Sequence, residues 1–550
     1  MRNFKFKRSL TLVAGAALAA SLLVAAPTVA SANPVCDGKV PVQTCGGATS
    51  DGAPYAMMVP ANFNGTVYLY SHGYRPNVPV PAGIPGYGGY TVTNTPQPGP
   101  NATVIGALLA KGYGVVGSGF ARQGWNADSA IKTNVELVGL FKKQFTKTTK
   151  VVAWGESLGG FITQALAEKH SDLFSAAAPL CMASDITPLM TMAGDALWGI
   201  KTFFDPTIKG GNYSAGAAGY AEAMGDLVKV FTVIGALQAA FAANASAPAW
   251  PATSKVPDAI KGIPSRSALV MIALMSGIPL QSAHFDSTSA PSVLPVASQT
   301  SFILAINPAF AALENVANAA ALAVLATHDL ELQAGGAFFD NTKTDYAARI
   351  DGERVIFNAA LSGNTVIDAL LAALSPANPG APRAKANPTA VAKMNSLHVN
   401  TGKINVPTIL MVGVADPITP AGASQRLVDL YAEQYAAEKA AARKAYKSSR
   451  DYKNPTNKLL MLWNTTPEKG YTKFNEAGSP ITTTPAAPGT NHCNFTTSQW
   501  LLVARSLVQT ANTGKLPTGG ALYTAVRKAG NLSMDKEISV PLLKYYTDNQ

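Results

Sequence analysis

Short apolar runs that end in turns recur along the chain, and helical or Ala-rich segments separate them. The clearest runs lie at residues 66–70, 151–154, 174–180, 406–415 and 458–463. Short apolar runs bounded by turns are typical of buried strands. Helical segments follow several of them, at residues 161–168, 421–449 and 498–511. The pattern therefore predicts strands at the apolar runs and helices at the segments that follow them.

The second run leads into Gly155-Glu156-Ser157-Leu158-Gly159, the only Gly-x-Ser-x-Gly sequence in the chain. Glycines two positions before and after the serine let the backbone bend sharply and let a helix pack close to the strand. Such a turn pushes the serine hydroxyl outward from the end of the strand. An ordinary strand-to-helix turn is the alternative, but the context of strand, turn and helix favours Ser157 as a nucleophile.

A serine hydroxyl is a weak nucleophile at neutral pH, so it needs a base and an acid that orients the base. With this kind of turn, the acid precedes the histidine in the chain. Asp416 ends the fourth apolar run, and His492 is the only histidine downstream of it. We therefore predict a triad of Ser157, Asp416 and His492. The competing interpretations are a turn-forming Asp before Pro and a solvated His. Asp429 and Asp451 are fallback acids in a helical, charged stretch.

Acyl transfer also needs donors for the charge that develops on the carbonyl oxygen. The amide of Leu158, directly after the serine, is the first candidate. The second donor should come from the loop after the run at residues 66–70. Gly73 lets the backbone turn there, so that the amide of Gly73 or of Tyr74 faces the serine. We expect His72 to hydrogen-bond this loop rather than to carry a proton.

These residues together resemble an α/β-hydrolase. The resemblance rests on His72-Gly73, the Ser157 turn, Asp416 after a strand and His492 near the end, and it covers about residues 55–181 and 404–515. It implies a mostly parallel sheet flanked by helices, a Ser-Asp-His triad and no cofactor.

The stretch between the two matching parts is far longer than a crossover between strands requires. It contains Ala-rich apolar segments at residues 228–245, 266–279 and 308–326. We interpret residues 182–403 as a helical cap inserted over the active site, between core parts at 33–181 and 404–550. The cap is either a lid that selects a hydrophobic acyl or alcohol group, or plain helix packing. Polar residues or Pro interrupt each apolar segment, so no stable membrane span is predicted.

The start of the chain has the features of a secretory signal peptide. Residues 1–8 carry four basic side chains, an apolar stretch reaches Ala26, and Ala30-Ser31-Ala32 offers a small-residue cleavage site. We predict that residues 1–32 are removed near Ala32 and that the protein is secreted. A retained membrane anchor is the alternative, because the apolar stretch is long.

Export to an oxidising compartment would let the four cysteines pair. Cys36, Cys45, Cys181 and Cys493 permit three pairings. A bond between Cys36 and Cys45 would close a short loop. With that pairing, Cys181 would bond to Cys493, and this second disulfide would hold the loop of His492 against the sheet.

The His492-Cys493 pair is similar to the disulfide-tethered His-Cys pair of tannases and fungal-type feruloyl esterases. In those families a cysteine precedes the serine, whereas Glu156 precedes Ser157 in this chain. We therefore do not expect this protein to share the substrate class of tannases.

Composition and motifs exclude several other functions. The 550-residue chain carries a net charge of +11, and basic residues cluster after residue 438, but the aromatic and Gly-rich features of nucleic-acid binding are missing. There is no CxxC pair, HExxH, phosphate-binding loop or dinucleotide fingerprint, so no metal or cofactor is expected.

The sequence thus predicts a secreted serine hydrolase that cleaves carboxylic esters through an acyl-enzyme intermediate. Its substrate would be a small-molecule or polymeric ester with an apolar group. One alternative is a secreted exopeptidase, because Asp416-Pro417-Ile418-Thr419-Pro420 resembles the acid loop of actinobacterial aminopeptidases of this fold. The other is a non-catalytic binding protein on a hydrolase scaffold.

Overall fold

A computed structural model describes the protein over residues 34–38, 40–286, 296–397, 400–445, 452–475 and 479–549. Only the backbone is described for residues 296–305. The predicted signal peptide, the fallback acid Asp451 and the end of the helix predicted over 421–449 lie outside the described residues.

One mixed sheet forms the centre of the described structure. Its ten strands in the described ranges are β1 (Val35–Cys36), β2 (Val42–Ala48), β3 (Pro54–Pro60), β4 (Thr66–Ser71), β5 (Gly114–Ser118), β6 (Lys150–Glu156), β7 (Ala176–Leu180), β8 (Thr408–Gly413), β9 (Leu459–Asn464) and β10 (Leu532–Ser533). Their order across the sheet is β1-β2-β3-β5-β4-β6-β7-β8-β9-β10. The strands from β5 to β9 in this order pair in parallel, whereas β1, β2, β3 and β10 pair antiparallel with their neighbours. The predicted mostly parallel sheet is confirmed.

Helices lie between the strands. The helices of the described chain are α1 (Ala102–Ala110), α2 (Ala127–Gln144), α3 (Leu158–Lys169), α4 (Ile186–Phe203), α5 (Gly216–Ala243), α6 (Asp258–Lys261), α7 (Ser265–Ser276), α8 (Val296–Ala334), α9 (Tyr346–Ile350), α10 (Glu353–Ile356), α11 (Asn364–Ala373), α12 (Pro388–Ser396), α13 (Ala421–Ala445), α14 (Thr497–Thr513), α15 (Gly519–Ala529) and α16 (Lys544–Asp548).

Strand β6 shows why the sheet is buried on both faces. Val151 and Ala153 belong to an apolar cluster that includes Phe161 of α3. Val152 and Trp154 belong to another cluster, which includes Trp500 of α14. Successive side chains of a strand point to opposite faces, so a run with no polar residue requires helices on both sides.

The antiparallel edges of the sheet were not predicted. Strands β1 and β10 have two residues each, and β2 contains Gly46 and Gly47, so none of them shows a strong strand pattern. Strand β2 is fixed by its seven-residue register against β3 rather than by its own composition.

Helices α4–α12 all lie between β7 and β8, in the stretch that the sequence assigns to the cap. Most of their apolar side chains belong to one cluster, which includes Leu197, Leu227, Leu269 and Leu325 and also takes in Val80 and Ile84 from the core part. Helix α8 is longer than the predicted segment at 308–326 because it runs through Pro308. Proline disfavours the helix interior locally, and packing against neighbouring helices outweighs that effect here.

Two cap segments, Gly216–Ala243 and Ile306–Ala334, are long and apolar enough to cross a membrane by length and composition alone. Length and composition alone do not place these helices in a membrane, so the expectation of no stable membrane span stays a prediction. In this structure 44% and 67% of their respective most apolar windows are buried inside the protein.

Candidate active site

Ser157 lies on a sharp turn between β6 and α3. Its backbone has φ 57° and ψ −123°, a conformation that non-glycine residues rarely adopt. A Cβ atom on Gly159 would lie 1.9 Å from the carbonyl oxygen of Ser71, and one on Gly155 would lie 2.5 Å from the carbonyl oxygen of Gly159. Neither position has room for a side chain, so both glycines are needed for helix α3 to start this close to the sheet.

The structure brings the three predicted triad residues together. The Nε2 atom of His492 lies 2.9 Å from the hydroxyl oxygen of Ser157. The Nδ1 atom of the same ring lies 3.1 and 3.0 Å from the two carboxylate oxygens of Asp416. These distances let the imidazole accept the serine proton at Nε2 while Nδ1–H donates to the acid.

Asp416 is fully buried in the turn after β8. The backbone amides of Ile418 and Thr419 each donate to its Oδ1 at 2.9 Å, and the amide of Cys493 donates to Oδ2 at 3.1 Å. These bonds fix the carboxylate and satisfy its buried charge. The fallback acid Asp429 instead lies on α13, where it accepts a hydrogen bond from Gln425.

Disulfides join Cys181 to Cys493 and Cys36 to Cys45. Cys181 follows β7 directly and Cys493 follows His492, so the first bond ties the histidine loop to the centre of the sheet. The second bond links the paired strands β1 and β2.

The electrostatic surroundings of His492 favour its protonated form. Burial lowers the pKa of His492, but the charges of Asp416 and Glu156 and the hydrogen bond that the ring donates to Asp416 raise it, and the net shift is upward. Burial raises the pKa of Glu156. The hydrogen bond that the Tyr70 hydroxyl donates to it at 2.7 Å and the charge of His492 lower this pKa, but the net shift is upward. Sequence reasoning gave Glu156 no role in the electrostatics of the site.

The predicted oxyanion loop lies against the nucleophile. A Cβ atom on Gly73 would lie 3.3 Å from Cβ and 3.9 Å from Oγ of Ser157, so this loop comes into contact with the serine. Leu158, whose amide is the other predicted donor, is the first residue of helix α3. His72 is buried and lies 2.7 Å from the Gly73 carbonyl through Nδ1, and burial and Arg75 lower its pKa to about 3. A neutral, buried ring suits the structural role expected of it.

Asp329 of α8 is a buried carboxylate beside this loop that the sequence did not single out. Its Oδ2 accepts hydrogen bonds from the Tyr74 hydroxyl at 3.1 Å and the Trp125 amide at 2.7 Å. Its Oδ1 accepts bonds from the side-chain amides of Asn77 at 2.8 Å and Gln333 at 2.9 Å. Asp329 and Glu331 directly after an Ala-rich apolar run were the available sequence signal, because buried acids are rare unless paired.

An apolar slot opens beside Ser157. The space inside it that the centre of a water-sized molecule can occupy is ≈ 100 Å³, and its walls come mainly from α4 and α8. Tyr74, Ser157, Leu158 and Thr419 lie at its reaction end. Among the described residues that line the slot, none is charged.

One group of described residues has the spacing of metal ligands: Asp416, His492 and Cys493. The sulfur of Cys493 is bonded to Cys181 and cannot act as a thiolate ligand. Two ligands then remain, fewer than the three protein ligands of catalytic zinc sites.

Part of the chain is similar to one family model, and the chain has distant similarity to solved structures. Residues 133–215, which include the Ser157 turn, match the model of the prolyl oligopeptidase family. No protein with a curated description matches the sequence. The chain resembles the solved structure of the rice cell wall degrading esterase LipA from Xanthomonas oryzae, with 12% identity, coverage of 86% of this chain and 89% of that chain, and a TM-score of 0.30. It also resembles feruloyl esterase B from Aspergillus oryzae, with 13% identity, coverage of 86% and 81%, and a TM-score of 0.32.

These TM-scores support no inference about substrate. The strand order, the helices on both faces and the turn that carries Ser157 define an α/β-hydrolase fold, and the predicted fold class is confirmed.

Proposed function

We propose that the protein is a serine hydrolase that cleaves carboxylic esters, with Ser157 as nucleophile, His492 as general base and acid, and Asp416 as the residue that orients the imidazole. The observation that carries the proposal is the continuous hydrogen-bonded path from the Ser157 hydroxyl through both ring nitrogens of His492 to Asp416. This arrangement performs acyl transfer on several unrelated folds.

In the proposed mechanism, the Ser157 oxygen attacks the ester carbonyl as its proton moves to Nε2 of His492. The amides of Leu158 and of Gly73 or Tyr74 donate to the oxyanion. When the intermediate collapses, His492 returns the proton to the leaving alcohol and an acyl-enzyme remains. Water then repeats the sequence, with its proton moving through His492, and releases the acid and the free serine.

The apolar slot favours an ester with an apolar group over an aminopeptidase substrate. A peptidase that binds a free amine needs an acidic partner for the ammonium. The described lining of the slot offers none, and Glu156 is engaged by Tyr70. The match to the prolyl oligopeptidase family is the observation that keeps an exopeptidase as the second candidate.

Secretion is part of the proposal. The two disulfides are compatible with an extracellular protein, because such bonds persist in oxidising compartments. The basic and apolar character of residues 1–32 supplies the export signal. N-terminal sequencing of the exported protein tests this: a start near Asn33 supports cleavage at Ala32, and an intact N-terminus supports a retained anchor.

Substitution of the nucleophile tests the function. Ser157→Ala should lower kcat for short p-nitrophenyl esters by about 10⁶-fold, as loss of a triad nucleophile does elsewhere. Ser396→Ala, at an exposed serine of α12, is the matched control and should retain full activity. A folded Ser157→Ala protein with wild-type turnover would remove Ser157 from the mechanism, and faster hydrolysis of aminoacyl anilides than of esters would favour the peptidase.

A further inference from the structure

We infer that the slot beside Ser157 binds the acyl part of the ester rather than its alcohol, and that this acyl part is a chain with an unsubstituted aliphatic end. The inference rests on the proposed function and adds the substrate class to it.

The position of His492 assigns the two parts of the ester to different sides of the serine. The leaving alcohol must take a proton from Nε2 of His492, so it departs on the histidine side. His492 is not among the residues that line the slot, whereas Leu158 and Tyr74, on the predicted oxyanion side, are. Thr419 of the acid loop also lines the slot, but its hydroxyl lies 3.4 Å from Nδ1 of His492, the ring nitrogen that faces Asp416 and not the leaving alcohol. The slot therefore extends from the carbonyl carbon in the direction that the acyl chain takes.

The slot runs from the core into the cap. On α4 its lining residues extend from Ile186 to Ile200, which corresponds to about 21 Å of helix axis. Ile186 belongs to the apolar cluster that contains Leu158, whereas Ile200 belongs to the cap cluster. Helix α8 lines the opposite wall over the same span, with Leu330 in the core cluster and Val316 in the cap cluster. The slot thus suits an extended chain.

The cap end of the slot contains only apolar side chains among the described residues: Ala196, Leu197, Ile200, Ile278, Val316 and Ala320. A hydroxyl at the end of a bound chain would lose its water and gain no side-chain partner there. Apolar pockets discriminate against an added hydroxyl by about 100-fold. Esters of hydroxylated aromatic acids and of ω-hydroxy acids should therefore be poor substrates.

Two series of esters separate acyl from alcohol selection in the wild-type protein. The first keeps p-nitrophenol as the leaving group and lengthens the acyl chain from acetate to palmitate. The second keeps an acetyl group and lengthens the alcohol from ethanol to hexadecanol. We expect kcat/KM to rise with length in the acyl series and to stay within about threefold in the alcohol series. Each methylene that an apolar pocket accommodates raises kcat/KM by about tenfold or more.

A matched pair of methyl esters, one of a fatty acid and one of its ω-hydroxy analogue, tests the end of the slot. We expect a preference of about 10- to 100-fold for the unsubstituted chain. Equal rates, or a length preference that appears only in the alcohol series, would overturn the inference. No turnover of any ester would instead overturn the proposed function.

Alanines on the two facing walls provide the variants. Ala196→Leu on α4 and Ala320→Leu on α8 should each fill the cap end of the slot and lower kcat/KM for the longest chains at least about tenfold more than for acetate. Ala437→Leu, at an exposed position of α13, is the control. Thermal melting identifies variants that do not fold. If a folded wall variant loses activity equally for acetate and palmitate, the slot does not set chain length.

Discussion

Replacing Asp329 with asparagine tests whether the cap helix positions the loop of the predicted oxyanion hole. Asparagine keeps the size of the side chain but replaces one carboxylate oxygen with an amide nitrogen. Two donors, the Tyr74 hydroxyl and the Trp125 amide, point at the single oxygen Oδ2. With the amide nitrogen in that place, the Trp125 N–H faces another donor.

The expected loss of stability follows from this geometry. The Tyr74 hydroxyl can rotate and accept from the new amide, but the Trp125 N–H has no such option. An unpaired buried donor costs about 1–3 kcal/mol. The bonds from Asn77 and Gln333 also lose their charge assistance, which roughly doubles the strength of a hydrogen bond. We expect Asp329→Asn to lower the free energy of unfolding by about 2–4 kcal/mol.

The same change should slow the reaction. Complete loss of one oxyanion donor lowers kcat by about 10²–10³-fold, so a displaced loop should cost less, about 10-fold or more, mainly in kcat. Urea unfolding and steady-state kinetics on a soluble ester measure the two effects. Tyr74→Phe removes only one of the four bonds and should give a smaller change in both.

Asp258→Asn is the matched control, because that carboxylate is fully exposed on the cap helix α6. If Asp329→Asn matches this control in both unfolding free energy and kcat, the four hydrogen bonds do not position the loop and the reasoning is refuted.

Three further expectations concern the triad and its turn. His492 must be neutral to act as a base and its pKa is raised, so kcat/KM should fall as the pH drops through a value above 6.5. Glu156→Gln should move this acidic limb of the pH profile to lower pH, because it removes a charge that raises the pKa of His492. An unmoved limb would exclude the influence of Glu156 on His492. Substituting both Cys181 and Cys493 with alanine should lower kcat, whereas the same change at the disulfide between β1 and β2 should leave kcat unchanged. Equal effects on kcat would show that the Cys181–Cys493 bond does not position His492. Gly159→Ala should give little soluble protein, since its Cβ would overlap the backbone of β4, and a stable, active variant would contradict the described turn.

The fold and the three triad positions could be predicted because their signals are local. Apolar runs mark five of the six parallel strands, the two glycines mark the turn at Ser157, and Asp416 and His492 follow in the chain order that the turn requires. These five strands differ from the predicted runs at their ends, as at β8, which stops at Gly413, and the parallel strand β5 was not predicted.

The contacts of Asp329 could not be predicted, because they join α8 to loops more than 200 positions earlier in the chain. Nor does the sequence reveal that Glu156, adjacent to the nucleophile, is bonded to Tyr70 of β4, since that contact depends on the register of β4 against β6. The run of α8 through Pro308 has the same cause: tertiary packing outweighs a local preference.

A fluorophosphonate probe followed by peptide mass mapping tests the central claim most directly. The probe modifies only a serine that a neighbouring base has activated, so the account predicts one adduct, on Ser157, that disappears in a folded His492→Ala protein. An adduct on a different residue, or none in a preparation that hydrolyses esters, would contradict the assignment of Ser157, His492 and Asp416 as one catalytic unit.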